Sequence, residues 1–358
     1  MINTEQDLIE FLEDERPRIP VGLLSRHEKD RLIERAMVGL YRWYVARSQA
    51  HRNWNPDKDF DWRLFRKDHS PEMVQILKGF FAVEQYVPDY VTDLLRVIRK
   101  SHGRSHFHIR WGAEEERHAD LWQNALLFSG GMKPDDIRDY MDELRSSQWT
   151  LPWQDPMYMT FYTVFQERAT QVNYLNTAVI ARGKSDKPQF ANDEDPILAR
   201  AAQIIAVDEA AHYNFFVEGA RLYLYYYPAE AIEAMVRVIR GFAMPGSQVD
   251  IPDYHKFEDT VYKAAIYGPR EHSRDVVQHA LDALGFENRK ALENGIKRVR
   301  QVPDENGNWQ ESQIFEGIDF PSIADAVKRI FGRINNYEQE TGHSDIDPTV
   351  FQQNYVMM

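Results

Sequence analysis

The short motif Glu-x-x-His occurs twice, each time where apolar residues recur at helical spacing. The copies are Glu115 and His118 between Trp111 and Trp122, and Glu209 and His212 between Ile205 and Phe216. Two residues that are three positions apart in a helix lie on the same face of that helix. In each copy of the motif this is the apolar face. A buried carboxylate without a partner would be costly or would take up a proton. The motif therefore predicts two helices with carboxylates on their buried faces. It also predicts a positive charge in the protein interior that compensates these carboxylates.

Each copy is preceded by an apolar helical stripe that contains one glutamate. Glu84 lies between Phe81 and Val87, and Glu167 follows Val164. The order Glu, Glu-x-x-His, Glu, Glu-x-x-His is that of ferritin-like di-iron bundles. Four carboxylates and two neutral imidazoles sum to roughly −4, which two divalent cations would balance, and oxygen with imidazole donors suits iron or manganese. We predict a site for two iron ions formed by Glu84, Glu115, His118, Glu167, Glu209 and His212.

The periodicity predicts an all-α chain, since no stretch alternates as a half-buried strand would. We expect a ferritin-like four-helix bundle with additional peripheral helices, in one domain over residues 1–358. Residues 1–70 would form an N-terminal extension of short helices, 71–245 the metal-binding core, and 246–358 a C-terminal helical extension.

Helix ends are expected where glycine, proline and turn residues cluster. The first core helix should run through Leu77 to Ile98 and be followed by a loop at 101–105, with Pro88 removing a backbone bond near Glu84. The second should stop at Gly130. The third should follow Pro156, and the turn-rich segment 183–196 should precede the fourth. Residues 303–308 are the best loop candidate of the C-terminal part.

Composition limits the chemistry and the partners. The chain has no cysteine, which excludes disulfides, cysteine nucleophiles and a built-in iron–sulfur cluster, so any electrons must come from another molecule. A formal charge of −13 disfavours nucleic acid as a partner. No apolar run is long enough for stable membrane insertion, and the first residues lack the order of a secretory signal. A cytoplasmic location is the expectation.

The motifs resemble those of the soluble acyl-carrier-protein desaturases. The similarity lies in EQYVP at 84–88, EEERHADL at 114–121, FQERAT at 165–170 and DEAAH at 208–212, and it extends more weakly from about Trp54 to Pro245. The resemblance implies that the six residues above are the ligands, that Asp208 orients His118, that Trp54 continues this path toward an electron donor, and that Thr170 lies on the oxygen-binding side. It further implies an acyl carrier protein and a ferredoxin-type donor as partners, a homodimer, and O₂-dependent introduction of a cis double bond.

Two of the motifs depart from the family pattern. The family's Thr-Glu-Glu is Val83-Glu84-Gln85, and its Lys-Arg after the last glutamate is Ala210-Ala211. Both changes fall where the family controls substrate entry, so chain length, double-bond position and carrier stay open. Basic residues that could meet an acidic carrier are Arg26, Lys29, Arg31 and Arg35, or Arg237 and Arg240, although a solvated face is the commoner interpretation of such spacing.

Other functions remain alternatives. The small subunit of ribonucleotide reductase usually has Asp as first ligand and a radical tyrosine one turn after the first motif, where this chain has Glu84 and Trp122. A di-iron N-oxygenase or hydroxylase of specialised metabolism often carries an extra histidine ligand, for which the sequence indicates no position. Iron storage or a purely structural role would leave the long ends unexplained. His102, His106 and His108 could suggest another metal, but their Gly/Ser setting favours an exposed loop.

Overall fold

The computed structural model describes residues 24–295, 299–303, 309–313 and 318–342. The helices of the first part are α1 Arg26–His51, α2 Pro71–Glu84, α3 Val87–Ile98, α4 His102–Phe128, α5 Pro134–Leu144, α6 Pro156–Ala181 and α7 Pro196–Tyr226. They continue as α8 Pro228–Gly241, α9 Tyr254–Lys263, α10 Pro269–Glu271, a π-helical turn His272–Gln278, α11 His279–Ala283, α12 Arg289–Gly295 and α13 Phe320–Thr341. Short 3₁₀ turns occur at Trp62–Leu64, Pro188–Phe190 and Pro245–Gln248.

Four helices form the core of a ferritin-like bundle, which confirms the predicted fold class. The pairs are α2 with α4 and α6 with α7, and α3 continues the line of α2 along α4. Both α6 and α7 begin at an Asp-Pro pair. Asp155 accepts hydrogen bonds from the first backbone amides of α6 and Asp195 from those of α7, while the proline occupies the first turn, where its missing N–H costs nothing.

The expected first long helix is two helices. α2 ends at Glu84 and α3 begins at Val87, with Gln85 and Tyr86 forming the turn between them. Pro88 has no N–H to donate to the carbonyl of Glu84, so the hydrogen-bond ladder is interrupted there. The interruption places Glu84 at the last residue of α2.

The expected loop at residues 101–105 is wrong, because α4 already begins at His102. Gly103 lies against the backbone of α1, and a Cβ there would lie 2.3 Å from the carbonyl carbon of Met37. Glycine serves close helix packing here and not a turn. His102 and His106 are exposed, but His108 is buried in the helix, so the three histidines do not share one exposed loop.

The two ends also differ from expectation. Within the described part of the N-terminal extension, α1 is one helix of 26 residues, begun by a capping box of Ser25 and Glu28 and packed on α4; residues 1–23 lie outside the described residues. The C-terminal part contains an antiparallel hairpin, β1 Val299–Pro303 paired with β2 Trp309–Gln313. The expected loop starts at the end of β1, and its residues 304–308 lie outside the described residues.

No helix in the described ranges is both long and apolar enough to cross a membrane.

A buried histidine joins the segment before α2 to the segment before α7. His69 Nδ1 lies 3.2 Å from Asp193 Oδ1 and Nε2 lies 3.2 Å from Asp195 Oδ2. Burial by itself lowers the pKa of His69, but its bonds to the two carboxylates raise it overall. Burial alone raises the pKa values of Asp193 and Asp195, yet the bonds to His69 lower them. The fold therefore favours the charged form of each of the three groups relative to the unfolded chain.

We expect the His69→Gln variant to lose roughly 3 kcal/mol of unfolding free energy near pH 5.5. The stabilisation by His69 is complete below its unfolded pKa of 6.5 and is lost as pH rises through the raised folded value. The contribution of Asp193 and Asp195 to stability is present above pH 3.8, their ordinary pKa. It is lost as the pH falls through their lowered pKa values in the folded state. Urea unfolding at pH 5.5 and 9 measures the difference, with exposed His51→Gln as control. An equal loss at both pH values would contradict the ion-pair explanation.

Candidate metal centre

The six predicted ligands lie together inside the bundle. They form two overlapping groups of four residues. Within each group, one ligand atom from every residue lies within 4.8 Å of the others. The first group is Glu84, Glu115, His118 and Glu209, and the second is Glu115, Glu167, Glu209 and His212. All six residues are buried. Glu115 and Glu209 belong to both groups, so the geometry provides two adjacent positions that share two carboxylates.

The imidazole nitrogens point into these groups. His212 Nδ1 lies 3.0 Å from Glu115 Oε1, 3.4 Å from Glu167 Oε2 and 3.4 Å from Glu209 Oε2. One N–H could serve only one of these oxygens. Glu115 Oε1, Glu167 Oε2 and Glu209 Oε1 are buried and make no hydrogen bond. Buried acceptors without donors, converging with an imidazole nitrogen, are the arrangement that a cation would satisfy.

The electrostatics of the cluster indicate the same need. Burial, followed by the charge of Glu115, raises the pKa of Glu84 to about 8, and burial raises that of Glu167 well above its ordinary value. Burial by itself lowers the pKa of both imidazoles. The charge of Glu115 nevertheless raises the pKa of His118 well above its ordinary value. Charges and hydrogen bonds, among them those of Glu114, do the same for the pKa of His212. Without a metal, the cluster must hold protons to balance its charge.

Each imidazole has a carboxylate on its other side. Asp208 Oδ2 lies 3.4 Å from His118 Nε2, and Glu114 Oε2 lies 3.0 Å from His212 Nε2. Such outer carboxylates fix the tautomer and orientation of metal-binding histidines. Asp208 was expected in this position. The sequence predicted no role for Glu114. Its contact with His212 joins α4 to α7, and such a contact does not follow from local spacing.

Glu114 is also the centre of a buried polar network. Its carboxylate accepts hydrogen bonds from Tyr44, Ser48, Arg52 and Arg110. Burial raises its pKa, but the hydrogen bond and charge of His212, with those of Arg52 and Ser48, hold it well below the ordinary range. Arg52 also donates to Asp208 at 3.1 Å, so this arginine joins the two outer carboxylates.

Trp54 and Thr170 lie on different sides of the cluster. The indole N–H of Trp54 donates to Asp208 Oδ2 at 2.8 Å, and its ring is stacked on His118 with an interplanar angle of 7°. Thr170 lies on α6 one turn after Glu167, donates to the carbonyl of Gln166 and lines a cavity. Tyr174, one further turn along, donates to Glu84; sequence reasoning assigned it no role.

The cavity has a volume of about 800 Å³ and reaches the cluster at Glu84 and Glu115. Its wall is formed by α2, α3, α4, α6, the segment 242–247, α9 and the Tyr267–His272 turn, and it is largely apolar. A polar strip on α6 interrupts the apolar lining: Gln166, Thr170 and Asn173. Ligand cavities usually measure about 300 to 1,000 Å³, so a long organic molecule fits beside the cluster.

One proposed carrier contact is wrong. Arg35 is buried against α13, where it donates to Asn335 and pairs with Glu338. Its guanidinium is used for packing the C-terminal helix against α1. Arg237 and Arg240 lie on α8, where they pair with Glu233 and Glu293.

A four-helix core with a buried carboxylate and histidine cluster that suits two cations defines a ferritin-like protein of the metal-binding class. The fatty acid desaturase family model matches residues 62–303. The chain belongs to the fatty acid desaturase family, which confirms the resemblance drawn from the motifs.

The chain is 32% identical to the chloroplastic stearoyl acyl-carrier-protein 9-desaturase 6 of Arabidopsis thaliana over 47% of this chain and 43% of that protein. It is 27% identical to the chloroplastic stearoyl acyl-carrier-protein 9-desaturase of Simmondsia chinensis over 63% of this chain and 58% of that protein. The matched part thus spans about half the length of these relatives. Among solved structures, DesA2 of Mycobacterium tuberculosis H37Rv, described as a candidate acyl-ACP desaturase, is 19% identical over 73% of this chain and 98% of that chain, with a TM-score of 0.48.

Proposed function

We propose that the chain is an acyl-carrier-protein desaturase that introduces a cis double bond into an acyl chain. The observation that carries the proposal is the cavity that ends at Glu84 and Glu115, because it combines an apolar wall with access to the cluster. Two iron ions would be held by Glu84, Glu115, His118, Glu167, Glu209 and His212. Iron in this setting would supply the O₂ activation that an unactivated C–H bond requires and that no side chain can provide.

The residues of the chain would position the substrate and exclude water. Phe80, Val83 and Trp111 form an apolar wall beside the cluster, against which an alkyl chain would pack at a fixed depth. Fixing that depth would determine which two carbons face the metals. The hydroxyl of Thr170 donates to the carbonyl of Gln166 within α6, so its oxygen could accept or relay a proton at the cavity side of the cluster.

The reaction consumes one O₂, two electrons, two protons and the two hydrogens taken from the acyl chain, and it yields the alkene and two water molecules. The chain has no cysteine for an iron–sulfur centre of its own, so a ferredoxin-type protein is proposed as donor. On the basis of the family, we also propose that the acyl chain is carried by an acyl carrier protein. The family likewise leads us to propose a homodimer and a cytoplasmic location. We further propose that the chain forms a single domain whose metal-binding core spans residues 71–245.

The polar strip on α6 supports one alternative, a di-iron hydroxylase acting on a substrate with polar groups. Gln166, Thr170 and Asn173 offer hydrogen-bonding groups that a plain alkyl chain would leave unused. The same assay separates the two functions. Iron-loaded chain, reduced ferredoxin, O₂ and a series of acyl carriers should give mono-unsaturated acyl product; a hydroxylated product would favour the alternative, and O₂ consumption without either product would overturn both.

We expect the affinity of the metal-free chain for Fe²⁺ to rise with pH between about 6 and 8. Glu84, with a pKa raised to about 8 by burial and then by Glu115, must lose its proton when it binds a metal, and so must Glu167 and the two imidazoles. Each proton released contributes about tenfold in affinity per pH unit.

Anaerobic calorimetric titration in two buffers of different protonation enthalpy counts the protons released. The Glu84→Gln variant should release about one proton fewer at pH 7. Affinity independent of pH over this range would show that the metal does not bind to these groups.

A further inference from the structure

The cavity beside the cluster has polar groups at two places, the polar strip on α6 and the Tyr267–His272 turn. We propose that these groups bind a hydroxyl on the acyl chain, so that the substrate is a hydroxylated acyl chain and not a plain one. The inference rests on the proposed function, because it takes the cavity as the site that holds the acyl chain.

The polar strip follows one face of α6. Gln166, Thr170 and Asn173 are spaced by four and three residues, and all three line the cavity. The strip extends roughly 10 Å along the helix axis, and Thr170 lies one turn after the proposed ligand Glu167. The polar groups therefore lie along the part of the acyl chain that passes closest to the cluster.

Asn173 has an acceptor atom that no described residue satisfies. Only 7% of this residue is exposed, and its Nδ2 donates to the carbonyl of Ala169 at 2.9 Å. The nitrogen must face that carbonyl, so Oδ1 is the atom that is left, and it accepts no hydrogen bond within the described part of the chain. Buried polar atoms are normally paired. Only a molecule in the cavity can supply the donor for Asn173.

The second polar place is a neutral imidazole. Burial, followed by the charge of Arg289, lowers the pKa of His272, and Nδ1 of this ring lies 2.8 Å from the hydroxyl of Tyr267. That hydroxyl has no other acceptor among the described residues, so it donates to Nδ1 and leaves the ring hydrogen on Nε2. The ring is stacked on Phe242 with an interplanar angle of 18°. His272 therefore provides a hydrogen-bond donor in a fixed orientation.

Two hydrogen bonds hold the Tyr267–His272 turn against α6. Asn176 donates to the carbonyl of Ile266 at 2.7 Å, and Arg168 donates to the carbonyl of Asp275 at 2.9 Å. The two donors lie on either side of Asn173 in the sequence, and the two acceptors lie on either side of the turn. The unpaired acceptor and the imidazole donor thus belong to the same section of the cavity.

This section lies deeper than the mouth of the cavity. The exposed lining residues come from α9 and its two flanking segments: Ser247, His255, Glu258, Asp259, Tyr262 and Pro269. Asn173 is buried, and Thr170 and His272 are half-buried. The thioester end of the substrate would stay at the mouth with its carrier, so the group that reaches the polar strip belongs to the acyl chain.

The chemistry of the wall selects a hydroxyl. Gln166, Thr170, Asn173 and His272 are all uncharged, so a charged group on the substrate would lose its hydration without an opposite charge to replace it. A hydroxyl can donate to Oδ1 of Asn173 and accept from Nε2–H of His272 at the same time. A ketone can only accept, and a methylene can do neither.

The test measures binding to the iron-loaded chain under anaerobic conditions and without an electron donor, so that no turnover occurs. The probes are acyl-pantetheine thioesters of equal chain length: a plain chain, a positional series of hydroxy chains and the matching keto chains. Calorimetry should show that the best hydroxy chain binds roughly fivefold more tightly than the plain chain for each hydrogen bond gained. The keto chain should lie between the two.

The variants assign this preference to the two polar places. Asn173→Leu should remove most of the preference for the hydroxy chain, and His272→Phe, which keeps a ring over Phe242, should remove part of it. The matched control is Asn124→Leu, which also loses a side-chain hydrogen bond but lies outside the cavity, and it should keep the full preference. Circular dichroism checks the fold of each variant, and His272→Phe carries the test if Asn173→Leu does not fold.

Two results would overturn the inference: no hydroxy chain binds more tightly than the plain chain, or all three variants keep or lose the preference alike. Product analysis with O₂ and reduced ferredoxin is a separate measurement. A preference for the hydroxy chain without any alkene would overturn desaturation and leave the inference standing. Alkene formed by a chain that shows no such preference would overturn the inference and leave the proposed function standing.

Discussion

The Glu115→Ala variant is expected to contain less than one iron per chain after anaerobic reconstitution and to lose product formation. Glu115 belongs to both ligand groups of the cluster, so its removal takes one donor from each metal position. Loss of an outer partner of a metal ligand already costs about 10- to 100-fold in affinity. Removal of a shared ligand should cost more than that. Metal analysis and the acyl-carrier assay measure the two effects.

The fold should survive this substitution. Burial by itself raises the pKa of Glu115, but His118 and His212 lower it to about 2, so this carboxylate stabilises the metal-free fold at neutral pH. Circular dichroism of the metal-free variant should therefore give a helical spectrum with a melting temperature below that of the unchanged apoprotein. The control is Glu116→Ala, at the next residue of α4, which is exposed. Normal iron content in Glu115→Ala would overturn the proposed metal site.

The Glu114→Ala variant is expected to lose both stability and metal affinity. It leaves Arg110 without its paired carboxylate and Arg52 with Asp208 alone, and it removes the acceptor of Tyr44 and Ser48. Breaking a buried ion pair from one side costs about 3 to 5 kcal/mol. His212 also loses the partner of its Nε2, which should weaken metal binding by about 10- to 100-fold.

Urea unfolding of the metal-free chain measures the first effect, and Fe²⁺ titration measures the second. Glu114→Gln keeps one acceptor oxygen without the charge, so it should recover part of the affinity but little of the stability. Glu116→Ala again serves as the control, since the three glutamates are adjacent in sequence. If Glu114→Ala behaved like Glu116→Ala in both measurements, the network around Glu114 would have no energetic role.

Features encoded by local spacing could be predicted from the chain alone. Positions three or four apart share a helix face whatever the surrounding fold, so the helices around Glu115 and Glu209 and the burial of their motifs follow from spacing. The end of α4 near Gly130, where φ is +73°, is equally local. The loop expected at Ser101 failed because glycine there serves packing against α1, which no local pattern reveals.

The two Glu-x-x-His motifs, each preceded by a lone glutamate, determined by themselves the helical class, the pairing of helices and the residues that meet in the interior. The tertiary structure alone decided what surrounds them. The bond between Glu114 and His212 and that between Tyr174 and Glu84 join distant helices, and the cavity depends on α9 and the Tyr267–His272 turn. Such contacts follow from the relative placement of whole helices, and that placement is set by the summed burial of many side chains rather than by any one motif.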